Sequence, residues 1–479
     1  MPDHVAAQLG PDGAPIDTSD YSIDLTRGVV VSTSRVVGLS GAATSLAQGV
    51  EGGLQNPSAV AYRGPQWPDW YDYWLALGVT YPFESGDFYN SGKVVGDSGR
   101  LSDDTTLFLI PGVYWQMWNL GIGLTIDAQF IQLARTPDSA TNGEDTLRLR
   151  FTTFHIQGGY GFLDGQLIVG AGLRILRQRA YVSTDFFSDG DLYQTLGLGA
   201  EVGVMFKPHH QRWSLGASLF PKMSTGLRDG GAATETPEGD ILVGDLYVPR
   251  STQIPTTGSV GFSYQFGPRP TNPPWISAEK LAAAELERLD RRKERLKANE
   301  REAVAEAQER GGPDVDVCVQ AIQQRYARKY AALKRARKEM KKLAWEQLRR
   351  EYRWGWPRRY YLLTADLWLN GRVSDGVGIE SFLFQTVQRS GERITVSPRI
   401  GFETEVWPTR MKVRAGTYLE PSRFVQSKLR VHGTLGFDIS LFRWNVFGLW
   451  PDDYRWQISA ALDVARSYGS FSFGIGGWY

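Results

Sequence analysis

A single cysteine, Cys318, occurs in 479 residues, so the chain has no disulfide framework and no cysteine-rich metal site. Nowhere do apolar residues run uninterrupted for the ~18 positions that a membrane-spanning helix requires, and mean hydropathy is -0.31. A helical membrane protein is therefore excluded. The formal net charge of +1 furnishes no global field toward nucleic acid or an acidic substrate. Residues 1 to 20 lack the basic start and apolar core of a secretory signal; for an exported chain this means that a leader was trimmed or that the start is not the natural one. The five histidines, His4, His155, His209, His210 and His432, join no Ser/His/Asp set. His209 and His210 fall in a turn, where adjacent side chains diverge and rarely chelate one ion. The reading is of a non-enzyme with no cofactor and no metal.

What the chain has in quantity is glycine, tryptophan and tyrosine, at 53, 16 and 21 residues. These suit turns, close strand packing and interfacial aromatic belts. The stronger signal is a two-residue period. Ile122, Leu124, Ile126, Ala128 and Phe130 alternate with Gly123, Thr125, Asp127 and Gln129; Val431, Leu435, Phe437, Ile439 and Leu441 alternate with His432, Thr434, Gly436, Asp438 and Ser440. Such segments recur near 71–81, 105–115, 121–133, 146–157, 166–177, 191–206, 213–221, 256–267, 359–369, 394–407, 410–420, 429–442, 455–466 and 469–479. The count is even, long connections follow odd strands and short turns follow even ones, which is the asymmetry of bacterial outer-membrane barrels.

The fold class expected is all-β: a 14-stranded antiparallel transmembrane β-barrel with an N-terminal plug and an inserted α-helical hairpin. Its segments are an extension and plug over 1–66, strands one to eight over 67–268, the hairpin over 269–357 and strands nine to fourteen over 358–479. A soluble β-sandwich, whose strands also alternate but average about half this length, is the alternative. Alternation places Asp127, Arg148, Arg150, Arg174, Glu201, Arg399, Glu403, Glu405, Lys412, Arg414, Arg430 and Asp438 toward the lumen.

Before the first strand lies VVGLSGAATSLAQGVEGGLQNPSAVAYR, 36 to 63. Gly38, Gly41, Ala42, Asn56, Pro57 and Ser58 follow a Gly-x-x-Gly-Ala run and an Asn-Pro turn that resemble the plug segment of the FadL and PorV superfamily of outer-membrane barrels, with Ser58 where that pattern has Ala. Residues 399 to 424 resemble the family's paired strands, and the final strand, ending on Tyr479, resembles the terminal recognition strand of such proteins. The resemblance implies an outer-membrane location in a Gram-negative bacterium, contact with outer-membrane lipid, and passive transport of hydrophobic small molecules. Pro111 and Gly112 interrupt the second strand, where proline cannot donate to the ladder; the resemblance makes this a candidate lateral opening. Pro398 is a second candidate.

Residues 277–310 and 315–353 read as two helices joined by Gly311, Gly312 and Pro313. Val319, Ile322, Tyr326, Leu333, Ala336, Met340 and Leu343 form a seam on the second, against which Cys318 is expected to pack. Residues 277–353 hold 21 Lys and Arg against 14 Asp and Glu, the second helix carrying the excess. As an even-to-odd connection the hairpin is expected in the periplasm. Arg325, Arg328, Lys334, Arg335, Lys338 and Lys341 are candidate docking residues for a periplasmic or surface protein, the basis of an alternative reading as a PorV-like scaffold in a secretion, motility or surface-assembly complex. No base-stacking aromatics interleave with these cations, so nucleic acid is not expected as a partner.

Overall fold

Strands whose every second side chain is apolar need one continuous greasy surface. Fourteen segments of this chain supply it by closing into an antiparallel barrel in a computed structural model. The structure describes residues 9–65, 70–84, 87–92, 101–135, 145–183, 190–229, 234–237, 239–243, 246–425, 428–445 and 455–478.

The barrel strands are β1 (Tyr71–Glu84), β2 (Leu101–Met117), β3 (Leu120–Arg135), β4 (Asp145–Phe162), β5 (Leu167–Ser183), β6 (Gly190–Phe206), β7 (Trp213–Phe220), β8 (Thr257–Phe266), β9 (Tyr361–Asn370), β10 (Thr395–Trp407), β11 (Met411–Glu420), β12 (Arg430–Arg443), β13 (Arg455–Ala465) and β14 (Tyr468–Gly477). Closure comes from β1 against β14, with Leu77 opposite Ile475 and Val79 opposite Phe473, while β1 also pairs with β2. The sheet has no free edge, which removes the liability of unpaired backbone groups.

Face assignment decides between barrel and sandwich. Leu198, Val260, Leu363, Leu435, Phe473 and Ile475 point outward and are exposed, whereas Glu403, Arg414, His432, Asp438 and Asp463 point inward and are buried. A soluble sandwich would seal the first set and expose the second. The observed inversion gives a barrel with an apolar outer surface and a charged, filled interior.

Strands β2 to β6 run for 16 to 18 residues, more than the ~9–11 a tilted spanning strand needs. The surplus explains a correction. Arg148 and Arg150 were expected in the lumen, yet both are exposed. On β4 they share parity with outward Ile156, and Leu149 and Phe151 take the buried positions. Arg150 lies over the Phe130 ring at 5.1 Å, and Arg148 Nε donates to Gln132 Oε1 at 3.1 Å. The other ten lumen assignments hold.

Among the described residues seven short strands lie in stretches that alternation left as connections or as part of the plug, and four of them join the large sheet. Beyond Pro221 and Pro255, which interrupt β7 and β8, Met223–Asp229 pairs with Ser251–Ile254. Ser22–Asp24 then adds in parallel to Ser251–Ile254 on one side and Gly376–Val377 on the other. Ile23, Tyr193, Val377 and Phe382 bury together there, so the N-terminal segment closes that end of the lumen. Pro398 breaks nothing: it keeps its register opposite Leu367.

A second compact unit comprises Arg63–Asp72 and Pro273–Pro357. After a capped turn in which Ser277 Oγ accepts from Lys280 N at 3.0 Å, helices α3 (Ala283–Arg310) and α4 (Val315–Arg350) are joined through Gly311 and Gly312, at φ 60° and 120°. Tyr326 and Ala344 are buried on α4 and Val319, Ile322, Leu333, Ala336 and Met340 half-buried. Leu343, expected on the seam, is exposed because 3.6 residues per turn carries the buried line over to Ala344. Cys318 is likewise exposed rather than packed.

Candidate functional site

The lumen is occupied by residues 28 to 62, whose short helices α1 (Ser34–Gly38) and α2 (Gly49–Gly53) precede a 3-10 turn over Pro57–Ala61. The sequence puts few large side chains here, and the wall answers with glycines. A Cβ at Gly170 would sit 2.4 Å from Ser58 N, one at Gly203 2.0 Å from Asn56 Oδ1, one at Gly121 2.0 Å from Val60 O and one at Gly216 2.3 Å from Thr44 O. Strand glycines mark close backbone approach, and here they form recesses that receive the plug.

Of the six plug residues named from the sequence, Gly38, Gly41, Asn56 and Pro57 are each buried at such a contact. Gly38 meets the wall at Gly436, where an added Cβ would lie 3.1 Å from the Gly436 Cα. Gly41, at φ 74°, leaves room for Arg399, whose Nη1 would lie 2.3 Å from a Cβ. Asn56 caps the 3-10 turn, its Oδ1 accepting from Ser58 N at 3.0 Å, while its Nδ2 donates to Thr44 O at 3.0 Å and to Val204 O at 3.1 Å. Pro57 opens that turn, where a missing N–H costs nothing.

Charges fix the plug to the wall. Arg35 of α1 donates from Nε to Glu403 Oε2 at 3.2 Å, and Arg414 donates from Nε to the same oxygen at 2.6 Å. The other side of the Arg414 fork reaches Asp438, with Nη1 to Oδ1 at 2.6 Å, and the Tyr360 hydroxyl donates to Glu403 Oε1 at 2.9 Å. A second group bridges β11, β12 and β13: His432 contacts Asp463 Oδ1 through Nδ1 at 2.8 Å and Glu420 Oε2 through Nε2 at 2.7 Å. Tyr418 OH donates to Asp463 Oδ2 at 2.7 Å and accepts from Val30 N at 3.3 Å. Neither group was assembled from the sequence, because its members lie on separate strands at spacings that only the register reveals.

The pairing of β2 with β3 lapses at Pro111 without a change of register. Along β2 and β3, Leu109 stands opposite Ala128 and Gly112 opposite Thr125, but Ile110 and Pro111 have no paired partners on β3. On the outer face this stretch is bordered by an apolar groove of about 450 Å³ lined by Leu75, Leu77, Pro111, Val113, Leu124 and Ile475 among others. On the inner face the space beside Gly112 is taken by Val50 of α2: a Cβ at Gly112 would lie 2.1 Å from Val50 Cγ1. Pro111 is visible in the sequence as a lost backbone donor, whereas nothing local marks Val50.

Helix α2 is held by polar contacts. Thr33 Oγ1 donates to Glu51 O at 3.2 Å, Gln457 Nε2 donates to Glu51 Oε1 at 3.4 Å, and Arg35 Nη1 lies 3.8 Å from Glu51 Oε2. Gln157 Nε2 on the wall donates to Gly53 O at 2.9 Å, so the helix that carries Val50 is tied at both the plug and the barrel.

In the helical unit, the candidate docking residues Arg325, Arg328, Lys334, Arg335 and Lys338 are exposed, whereas Lys341 is half-buried and paired with Glu279. The Tyr330 hydroxyl donates to Glu300 Oε2 at 2.6 Å, and this bond to a carboxylate pushes the phenol up to about 12.

No family model and no curated protein matches the sequence. Among solved structures, the chain is similar to a Pseudomonas aeruginosa FadL homologue, with 13% identity, coverage of 94% of this chain and 99% of that one, and a TM-score of 0.45. It is also similar to the CymD monoaromatic hydrocarbon channel, at 10% identity, 94% and 97% coverage and a TM-score of 0.48, and to the Pseudomonas putida toluene transporter TodX, at 11% identity, 96% and 99% coverage and a TM-score of 0.46. At these scores no residue-by-residue correspondence is carried over.

Proposed function

We propose that the chain is an outer-membrane barrel of a Gram-negative bacterium through which hydrophobic small molecules pass without an energy source, leaving the lumen sideways through the wall at Pro111 and Gly112. The membrane assignment is supported by the apolar outer surface of a closed sheet, which in water would expose Leu, Val, Ile and Phe rows on nearly every strand. Plug, notch and hairpin are read together with it: residues 36–63 as plug, and the hairpin on the periplasmic side.

The observation that carries the lateral route is the coincidence of three features at one spot. The ladder lacks two pairings, the outer face there is an apolar groove, and the inner face is filled by one aliphatic side chain rather than by a charge. The charged lumen argues against a straight greasy bore. A neutral solute that entered it gains by moving into lipid, at about 25 cal/mol for each Å² of apolar surface transferred, and Val50 stands where the ladder lacks its two pairings.

The test is uptake of a labelled neutral single-ring hydrocarbon by cells with and without the gene. The expected result is faster uptake with it; equal rates would reject passage as the function.

A further inference from the structure

Between the plug and the inner faces of β3 to β10 lies a cavity of about 170 Å³. Three arginines line it, Arg27, Arg174 and Arg399, against one carboxylate, Asp127, which is already paired with Arg27. Arg174 and Arg399 are more than nine-tenths buried, and among the described residues neither is ion-paired. The nearby acids, Glu201 and Asp366, lie within electrostatic reach of them but form no ion pair with either. Glu201 is held by His155 Nδ1 and Gln157 Nε2, both at 2.8 Å. Asp366, opposite Arg399 in the β9–β10 register, accepts from Thr44 N at 2.8 Å. Arg174 donates only to the carbonyls of Ala200 and Pro221, and Arg399 only from Nε to Ser397 Oγ at 3.4 Å.

Both guanidinium planes instead cover aromatic faces of the same cavity. Arg399 lies 4.5 Å above the Trp368 ring and Arg174 5.4 Å from the Phe220 ring, and those two rings are 6.5 Å apart and inclined by 13°. Among the described residues Arg399 keeps both Nη groups and Arg174 its Nη1 for an acceptor placed between them. A buried cation without a counter-charge is costly, and two beside one aromatic-walled space define what would relieve them: an anion that brings a flat apolar body. The volume sets the size, since a cavity of ~150 Å³ accepts a benzene ring, leaving no room for a long aliphatic chain.

We propose that this cavity is a binding site for single-ring aromatic carboxylates, the carboxylate held between Arg174 and Arg399 and the ring against Trp368 and Phe220. This deepens the passage reading by naming a substrate class, and rests on that reading only where transport is concerned.

The test is calorimetric titration of the purified full-length chain in detergent with benzoate, its neutral isostere benzamide, and acetate. Saturable benzoate binding is expected, weakened about tenfold or more by loss of the charge in benzamide, by loss of the ring in acetate, and by Arg399→Gln or Arg174→Gln. Retained β-sheet circular dichroism identifies folded variants, and Trp368→Leu, which leaves both cations in place, is expected to weaken benzoate more than acetate. Absence of saturable benzoate binding to the folded wild type, equal binding of benzamide, or undiminished binding in both arginine variants would overturn the proposal. Benzoate binding by a barrel that carries no neutral hydrocarbon would reject passage and keep the site; passage without benzoate binding would do the reverse.

Discussion

Val50 occupies the place that a side chain at Gly112 would take, its Cγ1 lying 2.1 Å from where the Gly112 Cβ would be. An element of the plug thus completes the wall where Pro111 withholds an N–H from the ladder. If that contact holds the wall shut, Val50→Ala removes two buried methyl groups, about 1.5 kcal/mol of seating, and raises the open fraction about tenfold. Faster initial hydrocarbon uptake with an unchanged thermal midpoint of the barrel is the expected outcome; unchanged uptake would mean that Val50 only fills space.

The plug's fit on wall glycines can be tested at Gly170. A Cβ there meets Ser58 N, a backbone atom that cannot swing aside as a side-chain tip can. Gly170→Ala is expected to unseat the 3-10 turn, seen as faster hydrogen exchange at the amides of Ala59 and Tyr62, which donate within it. Asn56→Ala, which removes the cap and four further bonds, should act in the same direction at a cost of about 1–2 kcal/mol.

Arg414 lies between Glu403 and Asp438 and is almost wholly buried. Arg414→Met leaves two buried carboxylates sharing the remaining cations, which costs about 3–5 kcal/mol. Denaturant unfolding of the purified barrel measures it, and a loss below about 1 kcal/mol would show that solvent screens the lumen.

Cys318 is exposed at the start of α4. A maleimide should label it completely in the native protein, within minutes and without denaturant. Protection until unfolding would place it on the helical seam after all.

Much of this architecture was legible because alternation is a local property. A strand such as Thr395–Trp407 declares its two faces within a dozen residues, and the glycine break after Arg310 announces the hairpin. Charge alone does not tell the two faces apart: on β4 Arg148 and Arg150 lie on the outer face, beyond the apolar band. The strands Ser22–Asp24 and Ser251–Ile254 are too short to show a period, and they depend on pairing with each other and with Gly376–Val377 and Met223–Asp229. Pro111 could be noticed alone, since its lost donor is intrinsic to the residue. Val50, His432 and Arg399 could not, as their roles depend on which strands the barrel brings side by side.

In the lateral route Val50 must leave Gly112 for a solute to escape. A Cβ at Gly112 would lie 3.3 Å from the Val50 Cβ, close to the ~3.5–4.5 Å span of a disulfide, so Val50→Cys with Gly112→Cys, in a chain carrying Cys318→Ser, can lock the contact. Uptake of the neutral hydrocarbon by the oxidised double variant should fall to the rate of cells lacking the gene and return on reduction. Uptake that proceeds undiminished through the locked barrel would contradict the lateral route.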